Sequence, residues 1–188
     1  MNVGFALCGS FCTYHKVFPV MELLCRDYHV MPIFSTASYS TDSRFGAAAE
    51  HIEAARELCG NEPLHTITQV EPIGPKKMFD ILVIAPCTGN TLAKLAHGIA
   101  DGPVTMAVKS HLRNNRPVLI AVSTNDGLSA AAENIGKLLG RKHYYFVPFG
   151  QDDPAEKPSS LVADFSRLPD ALEAALEGRQ LQPVLLRK

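Results

Sequence analysis

Short apolar runs alternate with amphipathic stretches along nearly the whole chain. Residues 2–8 carry Val3, Phe5, Ala6 and Leu7 into Gly9-Ser10, which predicts a buried strand closed by a turn. Over 17–26, Val17, Val20, Met21, Leu24 and Cys25 recur at the spacing of one helical face. Residues 29–34 predict a second strand, 35–43 a polar loop rich in Ser and Thr, and 44–58 a helix capped by Gly60. Pro63, Pro72, Gly74 and Pro75 make 61–77 mostly connection, with a short edge strand over 65–70. The run DILVIA at 80–85 is apolar almost throughout, as a strand covered on both faces must be. A tight loop at 86–90 then leads into a helix beginning over 91–96. Residues 105–113 predict a helix, 117–122 a strand, 128–139 a helix and 143–148 a last strand. Turn residues at Asp152-Asp153-Pro154 and Pro158-Ser159-Ser160 make 150–169 read as a loop. A helix over 168–176 follows, then an extended tail with Leu181, Val184 and Leu185.

Strands alternating with helices define the fold class: α/β, a three-layer doubly wound (Rossmann-like or flavodoxin-like) domain about a mainly parallel sheet. The expected organisation is one domain over 1–188, with a loop at 150–167 and a C-terminal helix and tail at 168–188. A length of 188 residues fits one domain with a core of its own. The balance of 18 basic against 19 acidic residues leaves a net charge of -1. That excludes a strongly basic nucleic-acid or membrane-binding surface. The five cysteines are widely spaced, and Cys8-x-x-x-Cys12 lacks a second pair at zinc-site spacing, so neither a disulfide framework nor a metal is expected. No export signal or membrane-length apolar run is visible, and the expected location is the cytoplasm.

In doubly wound folds the ligand lies outside the carboxyl ends of the strands. Three loops there carry suitable residues. In the first, Gly9 permits a sharp turn while Ser10 and Thr13 set hydroxyls beside the N–H groups of the coming helix, an arrangement that favours an anion over Gly9, Ser10 and Phe11. In the second, Pro86 removes a ladder donor and is read as the end of the strand. Cys87, Thr88, Asn90 and Thr91 follow it, and three of these polar side chains exceed what one helix cap needs. The third is Ser123-Thr124-Asn125, either a cap or the wall near an uncharged part of the ligand, since Asp126 would repel a phosphate. Ser35 and Thr36, after the second strand, join the candidate cofactor-binding set. Arg44 and Lys94 are the charged side chains next to these loops. Nothing in the sequence activates Cys87 as a nucleophile, and the seven histidines form no metal pattern. G-x-G-x-x-G is absent, so no dinucleotide fingerprint exists.

Gly9-Ser10, Ala85-Pro86-x-Thr88-x-Asn90-Thr91 and Lys94-Leu95-Ala96-x-Gly98-Ile99-Ala100-Asp101 resemble the flavoprotein superfamily of homo-oligomeric flavin-containing cysteine decarboxylases, over roughly 1–148. A narrower resemblance spans nearly the whole chain. It rests on Phe11-Cys12-Thr13-Tyr14, Ser40-Thr41-Asp42-Ser43-Arg44-Phe45-Gly46, Arg113-Asn114-Asn115-Arg116-Pro117, Ser123-Thr124-Asn125-Asp126, Pro148-Phe149-Gly150-Gln151-Asp152-Asp153-Pro154 and Gln180-Leu181-Gln182-Pro183. These strings are similar to the family of dipicolinate synthase B subunits. The decarboxylases' Pro-Ala-Met-Asn segment is replaced here by Ala121–Asn125, which argues against cysteine decarboxylation, and Phe11 stands where they carry a small aliphatic residue.

The resemblance implies a homo-oligomeric FMN-binding oxidoreductase subunit in the mother cell of a sporulating bacterium. It would work with the A subunit of dipicolinate synthase on a small dicarboxylate, oxidising a dihydrodipicolinate-type intermediate to dipicolinate. NAD(P) is expected on the partner. Arg44 and Lys94 are the substrate-binding candidates, and the catalytic residues are unassigned. A non-catalytic partner that stabilises the A subunit, and a flavin-dependent decarboxylase, are the competing readings.

Overall fold

The computed structural model describes residues 1–186. Chain order is β1 (Asn2–Leu7), α1 (Tyr14–Asp27), β2 (His29–Phe34), α2 (Thr36–Ser40), α3 (Ala48–Cys59), α4 (Ile67–Val70), β3 (Ile81–Cys87), α5 (Gly89–His97), α6 (Pro103–Leu112), β4 (Val118–Thr124), α7 (Ala132–Leu139), β5 (Tyr144–Phe146), β6 (Phe149–Asp153), β7 (Lys157–Ala163) and α8 (Leu168–Leu176). Five strands form a parallel sheet in the order 2-1-3-4-5. That is a doubly wound order whose direction switches between β1 and β3.

Burial explains why these runs are strands. Every residue of β3 is buried, as are all but one residue each of β1 and β4, because helices cover both faces. α1, α3 and α8 pack on one face, and α4, α5, α6 and α7 on the other. Phe5, Phe34, Phe146, Leu82 and Ile84 are among the largest fully buried side chains. Truncating one such leucine to alanine costs about 2–5 kcal/mol.

β4 divides its outer edge between two partners. Residues Val118, Leu119 and Ile120 pair in parallel with β5, while Ser123 and Thr124 pair antiparallel with β7. β6 and β7 form an antiparallel hairpin. The segment expected as a loop over 150–169 is therefore largely strand. The free carboxyl-end edge of β4 supplies the ladder that this polar segment could not signal by itself. At the hairpin tip the Glu156 N–H donates to Asp153 Oδ1 at 3.1 Å, and Gln151 Nε2 donates to the Pro158 carbonyl at 2.9 Å.

Other expectations change in the same way. Residues 65–70 are not an edge strand: Thr66 caps α4, accepting from the Gln69 N–H at 3.3 Å, while Gln69 Oε1 accepts from the Thr66 N–H at 3.0 Å. That reciprocal capping box closes a helical turn, and only Leu64 retains a bridge, to Ile33. The polar loop at 35–43 contains α2, capped by Ser35, which accepts from the Ser38 N–H at 3.2 Å. Pro86 does not end its strand. The ladder shifts register between Ile84 and Cys87, and the Pro86 carbonyl still accepts from the Cys8 N–H at 3.3 Å. The helix expected over 44–58 begins at Ala48, and Gly60 caps it in the left-handed region at φ 63.

Candidate functional site

The loops after β1, β3 and β4 converge at the carboxyl end of the sheet. Hydrogen bonds between side chains fasten them to one another. Ser10 Oγ lies 2.7 Å from Ser123 Oγ, joining the β1 loop to the end of β4. Thr91 Oγ1 donates to Cys8 Sγ at 3.4 Å, joining α5 to β1. Thr124 Oγ1 donates to Asp126 Oδ1 at 2.5 Å, which turns this carboxylate toward its own loop. Gly89 makes the close approach of the second and third loops possible. A Cβ there would stand 2.7 Å from both Asp126 Oδ1 and Thr124 Oγ1.

Two adjoining cavities open at this end. The outer one, about 520 Å³, is lined by Gly9, Ser10, Phe11, Thr88, Ser123, Thr124 and Asn125, with Lys16, Arg44, Phe45, Asp152 and Lys157 around its mouth. The inner one, about 560 Å³, is lined by Gly9, Ser35, Thr36, Thr88, Asn90, Thr91, Lys94 and Asp101. Both share Gly9 and Thr88. These residues stand at the ends of β1 and β3, where the strand order switches.

Eleven of the expected cofactor positions thus line one cavity or both, and Arg44 and Lys94 line one each. Pro86 and Cys87 do not. Both are buried within β3, and burial pushes the Cys87 thiol well above its ordinary range, with Cys8 nearby adding to the effect. Burial also pushes Cys8 up to about 11. These thiols are held protonated, which leaves them unsuited to nucleophilic chemistry. Thr13 also lines the outer cavity, but its hydroxyl donates to the Ser10 carbonyl at 2.8 Å and the side chain is buried.

The second loop holds both the cap and the spare polar groups. Thr88 is the N-cap of α5, accepting from the Thr91 N–H at 3.3 Å. Thr91 reaches Cys8. The exposed Asn90 has no intrachain side-chain partner among the described residues, and its amide is open to the inner cavity. The N–H groups of Gly89 and Asn90 have no helical acceptor by position. Beside them, Lys94 Nζ donates to both carboxylate oxygens of Asp101 at 2.9 Å. That hydrogen bond holds the Asp101 carboxyl below its ordinary value, and it neutralises the lysine within the chain.

Three charged side chains at the outer cavity were not among the sequence candidates: Lys16 from α1, and Asp152 and Lys157 from the hairpin. Lys157 Nζ donates to Asp152 Oδ2 at 3.0 Å, which raises the lysine above its ordinary value. Among the described residues there is no group of three or more His, Cys, Asp or Glu side chains that could hold a metal. Nor is there a helix long and apolar enough to cross a membrane.

A doubly wound sheet with two adjoining cavities at its switch point places the chain in the class of doubly wound domains that bind a ligand there. In agreement, residues 1–158 match the Flavoprotein family, and the chain belongs to it. Within that family it groups with dipicolinate synthase B subunits. It is 46% identical over 186 residues to the B subunit of dipicolinate synthase from Bacillus subtilis (strain 168), covering 98% of this chain and 93% of that protein. The crystal structure of the dipicolinate synthase B subunit from Bacillus halodurans C superposes with a TM-score of 0.91 at 45% identity, covering 100% of this chain and 96% of that one. The FMN-dependent cysteine decarboxylase SpaF shares the fold, with a TM-score of 0.66 at 24% identity over 93% of this chain and 97% of its own.

Proposed function

We propose that the chain binds FMN across the two cavities and acts with an A subunit in oxidising a dihydrodipicolinate-type intermediate to dipicolinate during sporulation. Gly9 is the observation that carries the cofactor reading. Its φ lies outside the left-handed region, and a Cβ there would meet only ordinary contacts, Ala37 Cβ at 3.7 Å and Phe11 Cε2 at 3.8 Å. Neither the turn nor the packing requires glycine. What its bareness provides is room where both cavities meet.

The inner cavity suits the phosphate and sugar-like chain. It combines the Gly9 turn, the hydroxyls of Ser35, Thr36 and Thr88, the Asn90 amide and the free N–H groups opening α5. The outer cavity, with Phe11, Ser123, Thr124 and Asn125, suits the ring. A bound flavin would supply a two-electron acceptor for aromatising the product. This chain has no nicotinamide fingerprint, so NAD(P) is assigned to the A subunit. Lys94, neutralised by Asp101, is set aside as a substrate contact, and Arg44 is retained.

FMN titration followed by quenching of flavin fluorescence tests the cofactor. Dipicolinate absorbance, with this chain and the A subunit mixed or apart, tests the partnership. Saturable quenching and activity of the mixture well above the sum of the separate chains are expected. Absence of FMN binding with activation retained would favour a stabilising partner instead. Full activity of either chain alone would end the shared-site reading.

A further inference from the structure

We propose that the mouth of the outer cavity is a dicarboxylate site in which Lys16 and Arg44 take the two carboxylates of the substrate, with Lys157 held beside them by Asp152; this rests on the dipicolinate reading above. Three cations from three distant parts of the chain meet around one cavity: α1, the loop before α3, and the hairpin strand β7. The whole chain is nearly neutral, at -1. Among the described residues, the lining of this cavity carries Lys16, Arg44 and Lys157 against the carboxylate of Asp152, a local excess of two positive charges. A dicarboxylate brings the matching charge.

The three cations are not equivalent. Lys157 is paired with Asp152 at 3.0 Å, which fixes its direction along the hairpin and keeps it protonated. Lys16 and Arg44 have no carboxylate within ion-pair distance among the described residues. The Arg44 guanidinium instead lies 4.8 Å over the Phe45 ring. Stacking on an aromatic face restrains an arginine without cancelling its charge. The contrast with the inner cavity is direct: its one cation, Lys94, already holds both oxygens of Asp101. None of the three outer cations lines the inner cavity. A dianion is therefore drawn to the outer mouth, beside the position assigned to the flavin ring, and the phosphate cradle stays separate.

The test titrates the full chain with dipicolinate by calorimetry, with FMN saturating and without it, and repeats this with the monocarboxylate picolinate and with inorganic phosphate. Lys16→Gln and Arg44→Gln are the variants, both at exposed positions where folding is insensitive, with melting curves to check it. Charge-assisted pairs of this kind predict about a tenfold loss of dipicolinate affinity for each substitution, and about tenfold weaker binding of picolinate to the parent chain. FMN affinity of both variants is expected to fall less than dipicolinate affinity, since neither cation lines the cavity assigned to the phosphate. Equal dipicolinate affinity in parent and variants, no detectable dipicolinate binding, or phosphate binding as tightly as dipicolinate would overturn the proposal. Dipicolinate binding that responds to these substitutions in a chain that takes up no FMN would retain this site and remove the flavin reading alone.

Discussion

His111 provides a measurable link between burial and pH. Its side chain is 1% exposed in α6; Nε2 lies 3.0 Å from the Pro117 carbonyl, and Nδ1 is buried without a partner. Nε2 therefore carries the proton and donates to Pro117, while Nδ1 is bare. Burial pushes the ring from 6.5 down to about 4; the Pro117 carbonyl opposes this, Arg116 adds to it, and Asp80 opposes it. The unfolded chain takes up the second proton near 6.5, the folded chain only near 4. Stability from this group is complete above the higher value and is lost as pH falls toward the lower one. In full the loss is about 3 kcal/mol, of which about 2 kcal/mol falls between roughly pH 7 and pH 5. The assay is urea unfolding across that interval for the parent and for His111→Phe. The variant starts lower, because the Pro117 carbonyl loses its donor at about 1–3 kcal/mol. Its pH slope is expected to be shallower by about 2 kcal/mol over the interval. His51, whose ring burial also pushes down, acts in the same direction in both proteins, so the difference between them is the quantity to read. Identical slopes would refute the assignment of that proton to His111.

Three further outcomes are expected. Gly9→Ala should change unfolding free energy by less than about 1 kcal/mol, yet weaken FMN binding by about tenfold or more; unaltered FMN affinity would remove Gly9 from the cradle. Gly89→Ala should cost about 1–3 kcal/mol in urea unfolding, because its Cβ would press on Asp126 and Thr124, and an unchanged midpoint would contradict the packing of the two loops. Cys87→Ser should leave dipicolinate formation with the A subunit within about tenfold of the parent, about 1.4 kcal/mol in barrier; loss to background would return this thiol to the chemistry.

The parallel core was legible because its strands are nearly all apolar and its first strand ends in Gly9-Ser10. The hairpin was not. Lys157-Pro158-Ser159 and Gly150-Gln151-Asp152 carry no two-residue hydrophobic alternation, and their pairing exists only because β4 offers an edge. Residues 65–70 held competing signals: Thr66, Ile67, Thr68 and Val70 favour a strand by type, while Thr66 and Gln69 stand at capping-box spacing, and the cap prevails. Most loop candidates for the cofactor could be found from their place after strands. Lys16 could not, since on α1 it looks like any solvated lysine until β7 folds opposite it. The pairing that occupies Lys94 spans the end of α5 and the turn at Gly98, a separation no helical spacing rule anticipates.

The divided edge of β4 separates the frame of the site from its rim. Its first half, bonded to β5, belongs to the frame that carries the cradle. Its last two residues hold a hairpin whose tip, residues 154–156, is exposed and touches none of the parallel ladder. Residues added, lost or exchanged at that tip would remodel the rim around the outer cavity and leave the register of β1, β3 and β4 untouched. The rim could therefore be rebuilt without disturbing the loops that line the inner cavity.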